Sequence, residues 1–192
     1  MMPKIVLASK SPRRRELLDR LGLAHTVISV DTDEWYPDGL EPEDIVKHIS
    51  REKAFAAANM VAPEDIVITA DTLVFLDDQK LGKPKDENDA FAMLSALSGR
   101  EHLVCTGVTV AQGNRTLSEA ESTHVRFAPL SEDTIRAYIR TGDPMDKAGS
   151  YGIQGLGALL IEGIDGDFFN VMGLPVRRLS LMLRRFGVSL LA

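Results

Sequence analysis

A single carboxylate interrupts the longest apolar run of the chain. Residues 66–76 read Ile-Val-Ile-Thr-Ala-Asp-Thr-Leu-Val-Phe-Leu, and this β-branched composition predicts a buried, central strand. Asp71 stands in the middle of it. A carboxylate inside a buried strand costs several kcal/mol unless it is paired, bound to a metal or protonated. A structural ion pair would meet that requirement, but acidic groups at such positions often serve chemistry, and we interpret Asp71 as functional.

The remaining pattern predicts a mixed-sheet α/β fold. Strand and helix signals alternate in the first half of the chain, whereas the middle resembles an antiparallel hairpin that turns at Gln112-Gly113-Asn114. Besides 66–76, strands are predicted over 4–9, 26–30, 102–111, 116–127 and 158–164. Helices are predicted over 12–21, 42–60, 90–97, 132–141 and 175–186, and residues 149–157 are expected to form a glycine-rich loop.

The length and charge of the chain argue against several classes of binding partner. The 192 residues fit one domain, 1–192, and the net charge of −6 argues against broad binding to a nucleic-acid backbone. No run of about 18 apolar residues is present, so we expect no membrane partner. Residues 1–8 lead directly into a strand, which does not fit a signal peptide, and we expect a cytoplasmic protein.

Three arginines occupy residues 13–15, in the first turn of the helix that follows Ser11-Pro12. Because a helix N-terminus favours anions, cations are unfavourable there unless they share a bound anion such as phosphate. The alternative is that the arginines point into solvent or pair with Glu16 and Asp19. The sequence does not decide between these interpretations.

Lys53 and Glu34 are the next candidates. Lys53 falls inside the apolar stripe of the helix predicted over 42–60, so its ammonium either extends to the edge of that stripe or faces a phosphate. Glu34 lies in an acidic segment with Asp31 and Asp33. Such segments are usually solvated, but their carboxylates also suit Mg²⁺ or Mn²⁺ when substrate phosphates complete the coordination shell.

Two loops add further candidates. Lys83 precedes Pro84, and a rigid turn there would fix the direction of the lysine. In the glycine-rich loop, glycines permit close approach of the backbone to a flat ligand, and Gln154 offers both a donor and an acceptor to a base edge. A plain mobile loop is the alternative.

Six fragments, spread in order over nearly the whole chain, resemble the Maf family of nucleotide pyrophosphatases. They are Ala8-Ser9-Lys10-Ser11-Pro12-Arg13-Arg14, Glu34, Arg51-Glu52-Lys53-Ala54, Ala70-Asp71-Thr72, Gly82-Lys83-Pro84, and Asp146-Lys147-Ala148-Gly149 through Gln154-Gly155.

The resemblance implies a twisted mixed sheet flanked by helices, with two lobes around a substrate cleft, as in the Maf and ITPase folds. It also implies a homodimer and hydrolysis of a nucleoside triphosphate with a divalent cation, Mg²⁺ or Mn²⁺. By the same resemblance, Asp71 is the proton acceptor and shares the metal with Glu34. Polar groups around the triphosphate would be Ser9, Arg13, Arg14, Lys53 and Lys83. Positions associated with substrate choice are Arg13, Thr72 and Gln154.

The substrate branch is indicated by Ser-Pro-Arg-Arg together with Ile153-Gln154-Gly155. These residues resemble the branch that acts on dTTP and UTP, whereas the branch that prefers methylated GTP carries tryptophan in place of Arg13 and an acid in place of Gln154. We therefore expect dTMP or UMP and pyrophosphate as products, with a role in nucleotide-pool cleansing or cell division. The alternative is a non-catalytic, nucleotide-binding regulator of septum formation. Having both Asp71 and Glu34 favours the enzyme, because binding alone needs no carboxylate beside three phosphates.

Overall fold

The computed structural model describes residues 3–191; Met1, Met2 and Ala192, including the start of the N-terminal segment interpreted above, lie outside the described residues. Its strands are β1 Ile5–Ala8, β2 Thr26–Ile28, β3 Ile66–Leu76, β4 Gln79–Leu81, β5 Glu101–Gln112, β6 Arg115–Phe127 and β7 Ile161–Asp165. Its α-helices are α1 Pro12–Arg20, α2 Pro42–Ala58, α3 Glu87–Leu97, α4 Glu132–Ile139, α5 Phe168–Met172 and α6 Val176–Arg184. Short 3₁₀ segments cover Asp143–Asp146, Ala148–Ser150 and Gly155–Leu160.

The strands form one seven-stranded mixed sheet in the order β2-β1-β3-β5-β6-β7, with β4 paired to β3. Strand β1 runs parallel to both β2 and β3, whereas β4 is antiparallel to β3 and β7 is antiparallel to β6. The predicted α/β fold with a mixed sheet and flanking helices is therefore confirmed. The substrate cleft stays a prediction. No helix in the range 3–191 is long and apolar enough to span a bilayer.

Strand β3 matches its predicted bounds, but other predictions need correction. The strand expected over 158–164 begins only at Ile161, because Ala158 and the two residues after it close a 3₁₀ segment. The loop expected over 149–157 contains two 3₁₀ turns. Helix α3 begins at Glu87 rather than at residue 90, because the Asp86 carboxylate accepts a hydrogen bond from the Asp89 N–H. The short elements β4 and α5 were not predicted.

Residues group into two compact units. The first comprises the chain up to Asp71, Thr106–Glu121 and the chain from Gly173 onward; the second comprises Thr72–Cys105 and Ser122–Met172. In the second unit, α3 packs against α4, and aliphatic and aromatic side chains fill the core. That core includes Val74, Leu94, Leu97, Val104, Val125, Phe127, Ile135 and Ile139.

In the first unit, helix α2 lies very close to the sheet. The backbone of Val46 approaches Gly107 of β5 so closely that a Cβ on Gly107 would lie 2.2 Å from the Val46 carbonyl oxygen. One turn further along α2, the buried Thr69 hydroxyl of β3 donates a hydrogen bond to the Ser50 carbonyl oxygen at 2.6 Å. Residues 46, 50 and 53 share a face of the helix because their spacings are four and three. These two contacts therefore also set where Lys53 meets β3.

Replacing Gly107 with alanine should destabilise the protein. The added methyl group has no room against the Val46 carbonyl, and such overpacking costs roughly 1–3 kcal/mol in the free energy of unfolding. Urea denaturation followed by circular dichroism measures this loss. Gly82→Ala is the matched control, because a Cβ there meets nothing within 4 Å. Equal midpoints for the two variants would contradict the close packing of α2.

Candidate active site

The Asp71 carboxylate is paired with the ammonium of Lys53. Lys53 Nζ donates to Asp71 Oδ1 at 2.5 Å, and Asp71 is only 5% exposed. The same ammonium also lies 3.4 Å from Glu34 Oε1. Thus the lysine in the apolar stripe of α2 turns toward a buried acid instead of extending to solvent. The structure therefore brings together three predicted site residues, with Lys53 between Asp71 and Glu34.

The two oxygens of the Asp71 carboxylate differ in their contacts. Its Oδ2 is buried and has no hydrogen-bond partner among the described residues. Such a group is costly to leave unsatisfied, so it points to something that the protein binds. Asp71 and Glu34 share the ammonium of Lys53, and the charge of Arg14 also acts on both carboxylates.

The residues present fit a magnesium or manganese ion that also binds substrate. No group of three or more His, Cys, Asp or Glu side chains within residues 3–191 is arranged to hold a metal. Mg²⁺, however, is commonly held by one or two carboxylates together with substrate phosphates and water. Asp71 and the exposed Glu34 would be those two carboxylates.

Arg14 is held by backbone carbonyl groups. Its Nε donates to Gly173 O at 2.7 Å and its Nη1 donates to Ala70 O at 2.8 Å. Nη1 also lies 3.4 Å from the Ser9 hydroxyl, which accepts a further bond from the Ser11 N–H at 3.1 Å. The guanidinium therefore ties the end of β1 to the residue before Asp71. Ser11 occupies the N-cap position of α1 as predicted, but its side chain makes no capping bond.

Electrostatics place several predicted residues around Arg14. The pKa of Arg14 is lowered to about 10, chiefly by burial and also by the positive charge of Arg13. Opposing effects come from the carboxylates of Asp71 and Glu34, which raise the pKa of Arg14. Arg14 remains protonated at neutral pH. Arg15 Nε lies 3.8 Å from Asp19 Oδ2 on the same helix, and both side chains are exposed.

Three predicted residues, Thr72, Lys83 and Gln154, belong to the second unit. Thr72 follows Asp71 in β3 and is half-buried; Lys83 is exposed in front of the buried Pro84. The half-buried Gln154 precedes the segment Gly155–Leu160. The Gly149 N–H donates to the Gly82 carbonyl at 3.0 Å, so the segment of Lys83 is bonded directly to the glycine-rich segment that carries Gln154.

A polar cluster in the second unit was not found from the sequence. Lys147 Nζ donates to the Asp143 carboxylate at 2.9 Å, and the Tyr138 hydroxyl donates to the same carboxylate at 2.6 Å. The only sequence signals were the inward position of Tyr138 in its helix and the fragment Asp146-Lys147-Ala148-Gly149. Neither signal identifies these partners, because they lie on different segments.

Known proteins match this chain along almost its whole length. The family model described as Maf-like protein matches residues 4–186. A dTTP/UTP pyrophosphatase of Bacillus velezensis is 46% identical over 189 residues, which cover 98% of this chain and 100% of that protein. A protein of the same name from Symbiobacterium thermophilum is 47% identical over 186 residues, 97% of this chain and 95% of the relative.

Among solved structures, the Ham1 protein of Staphylococcus aureus aligns with 82% of this chain and 79% of its own, at 16% identity and a TM-score of 0.47. The family model and the two near-full-length sequence matches decide the relationship: this chain belongs to the Maf family.

Proposed function

We propose that this protein hydrolyses dTTP and UTP to the nucleoside monophosphates and pyrophosphate. The observation that carries the proposal is the buried Asp71, which has one oxygen bound to Lys53 and the other without a hydrogen-bond partner within residues 3–191. The names of the relatives, each a dTTP/UTP pyrophosphatase, support the choice of substrate. We further propose that residues 1–192 act as one catalytic domain, because a single family model spans 4–186.

In the proposed reaction, water attacks the α-phosphorus, a new P–O bond forms, and the bond to the bridging oxygen of pyrophosphate breaks. Lys53 fixes the orientation of the Asp71 carboxylate by binding Oδ1, which leaves Oδ2 to orient the water and accept its proton. When bound by Glu34 and Asp71, Mg²⁺ or Mn²⁺ supplies charge stabilisation for the phosphate oxygens. Pyrophosphate leaves with the negative charge that builds up on the bridging oxygen.

Cationic and polar side chains bind the triphosphate in this proposal. Arg14 and Lys53 offer positive charge next to Asp71, and Arg13 extends that charge along the first turn of α1. Ser9, with its hydroxyl beside Arg14, and Lys83 complete the set that the resemblance assigns to the phosphates. Positive groups that are already fixed in place stabilise developing charge without reorganisation.

Base selection is assigned to Arg13, Thr72 and Gln154. The Gln154 amide presents a donor and an acceptor, which suits the carbonyl and N3–H edge shared by thymine and uracil. We also propose a cytoplasmic homodimer without nucleic-acid or membrane partners, as the resemblance implies. The non-catalytic regulator of septum formation is the less favoured alternative, because the relatives carry the name of an enzyme.

The products provide the first test. Incubation of dTTP or UTP with the protein and Mg²⁺ should release the monophosphate and pyrophosphate, measured by ion-exchange chromatography with separate assays for pyrophosphate and orthophosphate. EDTA should abolish the release, because the phosphates then lack their metal. A nucleoside diphosphate with orthophosphate as primary products would contradict the proposal. No turnover of any nucleotide with Mg²⁺ or Mn²⁺ would favour the regulator.

The second test concerns proton transfer. Asp71→Asn keeps the shape of the side chain but removes the basic oxygen, so kcat for dTTP should fall about 10²-fold or more. The protein should stay folded, since Glu34 remains beside Lys53. Asp78→Asn, which makes the same change in the exposed turn after β3, is the control. Near-wild-type kcat in Asp71→Asn would show that the carboxylate only balances the charge of Lys53.

The third test concerns the metal. Glu34→Gln removes one of the two negative charges around Lys53, so the Mg²⁺ concentration for half-maximal rate should rise about tenfold, as is common when a metal site loses an interaction. Titration of Mg²⁺ at saturating dTTP measures it. Asp33→Asn removes an equal charge from the neighbouring residue and should leave the midpoint unchanged. Equal shifts in the two variants would mean that only the net charge of the segment matters.

A further inference from the structure

The residues around Gln154 form a turn with a narrow neck. Gly152 and Gly157 stand on either side of it, and a Cβ on Gly157 would lie 1.9 Å from the Gly152 carbonyl oxygen. Between them, Ile153 is buried and Gly155 adopts a left-handed conformation with φ of +60°. Because the two ends of residues 153–156 touch each other, whatever fixes the neck also restrains the backbone from which the Gln154 side chain extends.

The hydroxyl of Tyr138 lies at this neck. It accepts a hydrogen bond from the Gly152 N–H at 3.1 Å, and a Cβ on Gly157 would lie 2.8 Å from it. The same hydroxyl donates to Asp143 Oδ2 at 2.6 Å. Tyr138 comes from helix α4 and is 5% exposed, so its position is set by the core of the second unit rather than by the turn.

Lys147 contacts both Asp143 and Gly152 at the neck of the turn. Its ammonium donates to Asp143 O at 2.6 Å, to Asp143 Oδ1 at 2.9 Å and to Asp146 Oδ1 at 2.7 Å. A lysine has three N–H donors, so these acceptors use all of them. Its stem packs beneath Gly152, where a Cβ would lie 2.8 Å from Lys147 Cε. Lys147 is thus committed to bracing the turn and has no donor left for a phosphate.

The protonation states suit this arrangement. Burial raises the pKa of Asp143, but hydrogen bonds from Tyr138 and Lys147 and the charge of Lys147 outweigh it, so this pKa lies below its ordinary value. Burial, together with the hydrogen bond to Asp143, raises the pKa of Tyr138. At neutral pH the carboxylate is therefore ionised and the phenol keeps its proton. Both hydrogen bonds of the Tyr138 hydroxyl therefore persist across the physiological pH range.

We propose that Tyr138, Asp143 and Lys147 are positioning residues for base selection, which hold the neck of the turn and thereby the amide of Gln154. This inference rests on the proposed function, in which Gln154 contacts the base. A site built to hydrogen-bond a particular edge discriminates strongly only while its polar groups stay in place. Loosening the neck therefore lowers discrimination between bases more than it lowers the chemical step.

The test is Tyr138→Phe, which removes only the hydroxyl. We expect kcat/KM for dTTP relative to dGTP to fall about tenfold, while kcat for dTTP changes less than about threefold. Amide hydrogen exchange of residues 147–157, measured by mass spectrometry, should become faster. Ser131→Ala is the matched control, because it removes the N-cap hydroxyl of the same helix and leaves Tyr138 intact. It should lower the melting temperature without changing the dTTP to dGTP ratio.

A double-mutant cycle tests whether Tyr138 acts through Gln154. In a Gln154→Ala background, Tyr138→Phe should change the ratio by less than about twofold, since the group it positions is gone. An additive, tenfold loss in that background would overturn the proposal, as would unchanged selectivity or unchanged exchange in Tyr138→Phe alone. These failures leave pyrophosphate release by the wild-type protein intact. A wild-type protein that releases none overturns the proposed function, and the role in base selection with it.

Discussion

The first unit depends on one buried ion pair. Asp71 lies buried in the centre of a strand, and the ammonium of Lys53 pairs with it at 2.5 Å. Removing Lys53 alone would leave the buried carboxylate without that partner, which is far more costly than losing an exposed pair. The tight seating of α2, set by Gly107 and by the Thr69 hydroxyl, holds the lysine at that distance. The packing of α2 on the sheet thereby fixes the geometry of the pair between Lys53 and Asp71.

Backbone carbonyl groups hold the positive charge beside this pair. Arg14 donates to the carbonyl oxygens of Ala70 and Gly173, and these contacts orient its guanidinium. The pKa of Arg14 is lowered to about 10, chiefly by burial, so the guanidinium stays charged at neutral pH. A fixed cation and a fixed anion in one neighbourhood suit a phosphate ester that must be bound and also attacked.

The second unit uses charge for a different purpose. The acceptors around Lys147 use its three donors, and the Tyr138 hydroxyl both donates and accepts. A satisfied polar network of this kind has one favourable arrangement, and it is therefore well suited to holding a glycine-rich turn that would otherwise have many. In the first unit, by contrast, Oδ2 of Asp71 is left without a partner in the part of the chain described. The Tyr138 hydroxyl is thus satisfied, whereas the Asp71 carboxylate keeps one unsatisfied oxygen, as the proposed function requires.

The sequence by itself determined the bounds of β3, the mixed α/β class and the place of Asp71 as an isolated charge in a buried strand, because burial, period and an isolated charge are local signals. It also indicated that Lys53 lay on the apolar face of α2, but a helical period shows which face is buried and not what that face meets. Only the tertiary structure decided that the lysine faces Asp71, that Arg14 bonds to carbonyl groups, and that Tyr138 reaches Gly152. The predicted start of β7 was wrong for a related reason, because a short apolar run fits a 3₁₀ turn and a strand equally well. Contacts between distant segments depend on how the elements pack, and the sequence of a single element does not show which other element it packs against.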